Sequence, residues 1–223
     1  MTEPAPQLNP DTGLLSLGDA AFGVLERLAG RGEDVTDETG LREQTALLRA
    51  ASVLDSEGQL HSSLTTTIAV IRHAEAELVL TETGRRARMW VAGAHGALLL
   101  PVDDSNLRRL TYLPVWMLPE TVSRVVGLGP RPRLPATEPV PLATLLAGDP
   151  RCHWTLARIP IAAGEPGQEA SLEVLDTAAG LWVVNPGVGD PMATPADPTT
   201  VWRVIIRMVR PSTTAAQTSQ ATI

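Results

Sequence analysis

Lysine is missing from this chain: all 18 basic residues are arginine. That absence removes Schiff-base catalysis and the phosphate-gripping lysine of a P-loop. Exclusive use of arginine beside abundant Ala, Gly, Pro and Thr reads as codon bias of a GC-rich genome, not as a phosphate-binding surface. The 25 carboxylates leave a net charge of −7, which lacks the electrostatic footprint of a nucleic-acid binder. Cysteine occurs once, at Cys152, so no intrachain disulfide can form. No apolar run approaches the ~20 residues that span a bilayer. Met1–Asn9 is polar, without a basic stretch leading into an apolar one, so no secretory signal is read there. The expected compartment is the cytoplasm.

What is present is an ordinary globular composition, 43% hydrophobic and 19% charged over 223 residues, enough for one large domain or two small ones sharing a core. Residues 1–13 and 211–223 lack periodicity and read as loose tails. A first helix is expected from Ser16 to Gly30, with Leu17, Ala21, Val24, Leu25 and Leu28 on its apolar face. A second carries Leu41, Leu47, Leu48 and Ala51, and a third Leu60, Leu64, Ile68, Ile71 and Ala74. The period then changes. Glu77–Glu82, Arg86–Ala92 and Ala97–Val102 read as strands, and the turns Thr83–Arg85 and Gly93–Gly96 are short enough to permit only antiparallel pairing. Arg86 and Arg88 alternate with Ala87 and Met89, the pattern of a strand with one wet face. Pro119 starts a helix bearing Val122, Val125 and Val126, closed by Gly127.

Residues 130–141 hold five prolines in twelve and read as a linker. A short helix at Leu142–Ala147 follows, and then the earlier order returns. Strands are expected at Cys152–Ile159, Ser171–Asp176 and Leu181–Asn185. Asp197–Pro198 opens a last helix with Val201, Ile205, Met208 and Val209 turned inward. The reading is therefore an α+β fold, in which two pseudo-repeated three-stranded meanders join edge to edge into one antiparallel sheet flanked by helices. The first half spans residues 14–129 and the second 142–210. Joining the meanders removes exposed edges and shares one core.

Chemistry is sparse. His61, His73, His95 and His153 show no HxxxH or HExxH spacing, and Cys152 has no CxxC partner. Cys152 and His153 are adjacent, which on a strand turns them to opposite faces. No GxSxG elbow and no glycine-rich phosphate loop opens a helix. Asp103 and Asp104 precede Ser105–Asn106 and read as turn residues, and Pro186–Pro191 reads as a plain loop. No catalytic residue, metal ligand or cofactor is expected. Five tryptophans stand against one tyrosine and one phenylalanine. Trp90, Trp154 and Trp182 fall on expected strands and read as core. Trp116 lies in Tyr112–Leu118, an apolar segment held irregular by Pro114 and Pro119. Core packing and a protein-contact hot spot are both open for it, and in the second case Tyr112, Leu113, Val115, Trp116 and Met117 are the partner-binding candidates.

The order of these features resembles the EspG-like secretion-associated proteins of the type VII (ESX) system. Val53-Leu54-Asp55-Ser56-Glu57-Gly58 and the run Glu77–Gly129 carry the likeness. Arg88-Met89-Trp90-Val91-Ala92 followed by Gly96-Ala97-Leu98-Leu99-Leu100-Pro101 is similar to that family's central hairpin. Val125-Val126-Gly127-Leu128-Gly129-Pro130 is similar to the end of its first half. The likeness is clearest over residues 14–135. It implies a single antiparallel sheet with pseudo-two-fold related halves, and a non-enzymatic cytoplasmic chaperone that keeps PE–PPE-type secretion substrates soluble before export. Two other classes are weighed against it. One is a small-molecule-binding or hydrolytic domain using Asp104, His95 or His153. The other is a regulatory or immunity-type homodimer with Tyr112–Leu118 as its self-complementary patch.

Overall fold

A change of hydrophobic period, from about 3.6 to 2 and back, sets the order of elements. The computed structural model describes residues 4–31, 38–102, 106–134, 138–148, 150–161, 170–185 and 189–210. The elements are β1 (Gln7–Asn9), β2 (Leu14–Leu17), α1 (Asp19–Leu28), α2 (Glu38–Ala50), α3 (Thr65–Arg72), β3 (Ala76–Glu82), β4 (Arg85–Ala92), β5 (His95–Pro101) and β6 (Arg108–Pro114). They continue as α4 (Leu118–Val125), β7 (Val140–Pro141), α5 (Leu142–Leu146), β8 (Cys152–Pro160), β9 (Ala170–Asp176), β10 (Leu181–Asn185), β11 (Met192–Ala196) and α6 (Pro198–Val209). The strands form an eleven-stranded antiparallel sheet in the order β1-β2-β6-β5-β4-β3-β8-β9-β10-β11-β7. The class is α+β, with helices flanking the sheet. The chain divides into two compact units: Met1–Glu77 with Ala87–Val115, and Leu78–Arg86 with Trp116–Ile223.

In the first unit, Gln7–Asn9, inside the stretch expected to be a loose tail, pairs with Leu14–Leu17. The turn closes because Asn9 Oδ1 accepts the Asp11 and Thr12 N–H groups at 3.1 and 3.2 Å. Gly13 takes φ +66°, and a Cβ there would sit 2.5 Å from the Ser63 carbonyl oxygen, so only glycine fits. The expected helix from Ser16 therefore starts later. Leu15 and Leu17 are fully buried strand residues, and α1 begins at Asp19 after Gly18. β2 adds to β6, with Leu15 opposite Leu110.

A fourth strand joins each meander. β6 pairs with β5 over His95–Pro101, and β11 pairs with β10 over Leu181–Asn185. Pro114 hid β6 from a reading of the sequence, and β11 was not expected at all. Pro114 is the last residue of β6, and Pro195 lies beyond the two-residue pairing of β11 with β7. Strand ends and open edges are where a ladder tolerates a missing N–H.

The wet face expected for β4 is also corrected. Ala87, Met89, Trp90 and Val91 are all buried. Arg88 lies under α1, its guanidinium 4.7 Å from the Trp90 ring centroid and 5.8 Å from that of Phe22. Its Nε donates to Glu77 Oε1 at 2.6 Å, and Nη1 meets Glu26 Oε1 at 2.8 Å. The aromatic faces and two carboxylates together compensate the desolvation of the cation. Burial pushes the Glu26 carboxyl up from its ordinary value, and the pull of Arg88 in the other direction does not cancel it.

In the second unit, Trp154, Leu156, Val174 and Leu175 are buried. Trp182 packs with Leu142, Leu175, Val184 and Ala193, and Leu134, Val140 and Leu145 close over them. All three tryptophans expected in the core are there, each no more than 7% exposed. The proline-rich stretch is tied down from both ends: Val140–Pro141 pairs with β11, and Arg131 Nε donates to both oxygens of the buried Asp176 at 3.0 and 2.9 Å. Asp197 caps α6 by accepting the Thr200 N–H at 2.9 Å. At the other end, Arg158 Nη1 donates to the Met208 and Arg210 carbonyls, where a cation offsets the helix dipole.

Replacing Arg88 by Met strands two half-buried carboxylates. It is expected to cost roughly 2–4 kcal/mol in urea unfolding, whereas Arg86→Met, on an exposed residue, stays within about 0.5 kcal/mol. Because the Glu26 carboxyl is raised on folding, the native state holds its proton more tightly than the unfolded chain does. That contribution is full below the unfolded carboxylate value and is lost as pH rises through the folded one. The stability difference between wild type and Glu26→Gln should therefore move in favour of wild type as pH falls from neutral toward 4.5, read as paired unfolding curves.

Candidate functional site

The partner-binding candidates fall on the segment that leaves β6 and enters α4. β6 ends at Pro114, opposite His95. A single 3-10 turn, Val115–Met117, follows, and Pro119 then occupies the first turn of α4. Two prolines five residues apart fix φ on either side of the turn. The Val115 N–H donates to the Ala94 carbonyl at 3.0 Å, and the Thr121 hydroxyl donates to the Met117 carbonyl at 3.0 Å. These bonds fix the backbone of the turn without using the indole of Trp116.

Trp116 is 71% exposed. Core packing, one of the two uses left open for it, does not occur. Met117 and Tyr112 are partly exposed, Val115 is half-buried, and Leu113 is buried at 7%. Leu113 is therefore a core residue of β6, not a surface group. The Tyr112 hydroxyl lies 2.9 Å from His95 Nδ1, with the two rings 5.9 Å apart. A rigid, protruding indole on a backbone-anchored turn loses little conformational entropy on contact, which suits the anchor of a protein interface.

The residues considered for chemistry are occupied otherwise. Thr81, Thr83, Arg151, Cys152 and His153 line an open cleft of about 500 Å³, but its two reactive side chains point to different partners. The Cys152 thiol donates to Glu82 Oε1 at 3.0 Å. Burial, then that hydrogen bond and the nearby carboxylates, push its pKa up to about 12, the reverse of an activated nucleophile. His153 Nε2 pairs with Glu173 Oε1 at 2.8 Å. His61 Nδ1 meets the Ser63 hydroxyl at 2.8 Å, capping the 3-10 turn Ser62–Leu64 that leads into α3. Asp103 and Asp104 lie outside the described residues. Among the described residues, no group of three or more His, Cys, Asp or Glu side chains is placed to hold a metal ion, and no helix is long and apolar enough to cross a membrane.

No protein-family model and no curated protein sequence matches the chain. Among solved structures, it is similar to the Mycobacterium tuberculosis type VII secretion system chaperone EspG5, determined in complex with a PE25–PPE41 dimer. The TM-score is 0.58 at 11% sequence identity, covering 88% of this chain and 95% of the matched one. At that identity the likeness is one of backbone path, and it spans nearly the whole of both molecules.

With its thiol held protonated, Cys152 is expected to react slowly with Ellman's reagent at pH 8 in the folded protein and at the rate of a free thiol once unfolded in guanidinium. Prompt stoichiometric labelling of the native protein would contradict the geometry around Glu82. The likeness in backbone path over 88% of its length gives this chain an EspG-like fold.

Proposed function

We propose that the protein is a non-enzymatic chaperone or adaptor that binds a protein partner in the cytoplasm, and that its partner is a secretion substrate of the PE–PPE type. The observation that carries the reading is the near-complete coverage of a chaperone fold whose solved structure holds a PE–PPE dimer. The site chemistry supports it: the only cysteine is held as a thiol, and His153 and His95 are engaged by Glu173 and Tyr112. Trp116 supplies the anchor, with Met117 beside it in the turn.

Co-expression of the tagged chain with a PE–PPE pair from the same genome tests this directly. Retention of the pair through affinity and size-exclusion steps, as a complex of defined stoichiometry, is the expected result. Recovery of the chain alone from every such pair rejects it. Trp116→Ala removes a side chain that the fold leaves in water. Its thermal midpoint should stay within a degree or two of wild type, while partner affinity falls by at least roughly thirtyfold, the loss typical of a hot-spot residue.

A further inference from the structure

We propose that the exposed arginine stripe of α6 is a second contact for the protein partner, and that it takes a helical segment of that partner carrying carboxylates at i, i+4 and i+7 spacing. The proposal rests on the protein-binding reading above and adds a charged contact with its own chemistry.

The stripe follows from the helix period. Val201, Ile205, Met208 and Val209 are buried, so the opposite crest of α6 falls to Arg203, Arg207 and Arg210, all of them exposed. The three positions span roughly 10 Å along the axis. Trp202 and Ile206, half-buried, form an apolar shoulder beside them, and α6 contains no acidic residue.

Three features set this crest apart, all within the second unit. Among the described residues, none of its guanidinium groups has a hydrogen-bond or ion-pair partner. Arg124 and Arg131, by contrast, each hold a carboxylate. The carboxylates nearest in the fold are already engaged: Glu120, on the α4 helix that packs against α6, pairs with Arg124 at 2.6 Å, and Asp197 caps α6 through Thr200. The second feature is that the end of the helix needs no further cation, because Arg158 already donates to the Met208 and Arg210 carbonyls. The third is repulsion. Like charges four residues apart weaken a helix, so the fold gains nothing by lining these groups up, and it does so in a chain of net charge −7.

Charge and geometry select the occupant. A guanidinium fork pairs best with a carboxylate, which it can grip through two parallel hydrogen bonds. A helix that presents Asp or Glu at the same spacing meets all three arginines in register, and its apolar flank meets Trp202 and Ile206. Nucleic acid fits less well: three arginines neutralise three phosphates, while the surplus negative charge of the chain repels a polyanion. A lipid surface fits less well too. The apolar face of α6 is spent in the core, and three basic residues fall short of the roughly four to eight of a lipid-binding cluster.

Two capped, alanine-based helical peptides serve as probes, one with glutamate at the i, i+4 and i+7 positions and one with glutamine there. Added at low salt to the full chain labelled with 15N, the glutamate peptide should shift the backbone amides of residues 203–210. It should bind at least roughly tenfold more tightly than the glutamine peptide, and the gap should close as salt is added. Combining Arg203→Gln with Arg207→Gln should remove the preference and leave the thermal midpoint equal to or slightly above that of wild type, since the repulsion goes with it. Arg86→Gln, at an exposed arginine elsewhere, should keep the preference. Equal binding of the two peptides, shifts outside α6, or a double variant that binds like wild type overturns the proposal. Tighter binding at the same salt to a DNA duplex or to anionic phospholipid vesicles overturns it as well, and so does a homodimer that the double variant dissolves. A chain that retains its PE–PPE pair but shows no preference for the glutamate peptide loses the stripe alone. One that shows the preference but retains no pair loses the chaperone reading.

Discussion

Arg88 is the charge around which the first unit is arranged. A guanidinium between Phe22 and Trp90, gripped by Glu26 and Glu77, fixes the seating of α1 on β4 more tightly than apolar contact alone would. Apolar packing tolerates sliding, whereas a cation removed from water accepts only the geometry that returns its lost hydrogen bonds. Glu26 sits on α1 and Glu77 on β3, so this one residue couples the helix layer to neighbouring strands. The rest of the first unit can be read outward from that point: the Phe22–Trp90 contact at 5.7 Å, the buried Leu15 and Leu17 of β2, and the hairpin that adds β1.

The second unit solves a similar problem with a different pairing. Asp176, 4% exposed, closes β9 and would be an expensive orphan without Arg131. Arg131 also donates to the carbonyls of Pro130 and Gly127, so the ion pair that satisfies the strand also secures the residues after α4. In both units a strand residue and a helix or loop residue of opposite charge set the register between layers.

Much of this architecture was legible because local signals agreed with the global fold. The Asp197–Pro198 start of α6, the Thr83–Gly84 turn, and the strands at Cys152, Ser171 and Leu181 were each marked by a cap, a turn pair or a β-branched run. The misreadings share one cause: a local residue preference overridden by position. Ser16-Leu17, the end of β2, continues smoothly into the α1 pattern and was absorbed by it, though Gly18 breaks the two apart. Pro114 argued against a strand, but it stands at the end of β6, where its missing N–H is harmless. Arg88 read as a wet residue because sequence alternation cannot reveal a helix lying across the face that it occupies. The candidate segment at Tyr112–Leu118 was singled out by its prolines, but the exposure of Trp116 and the burial of Leu113 depend on tertiary packing and left no local trace.

An indole left 71% in water also has a consequence for the chain in the absence of a partner. Two copies that met through Trp116 would each bury a ring. Seven surplus negative charges work against that encounter, because copies approaching one another repel at long range before their rings can touch. That long-range repulsion is strongest in dilute buffer and weakens as counterions accumulate.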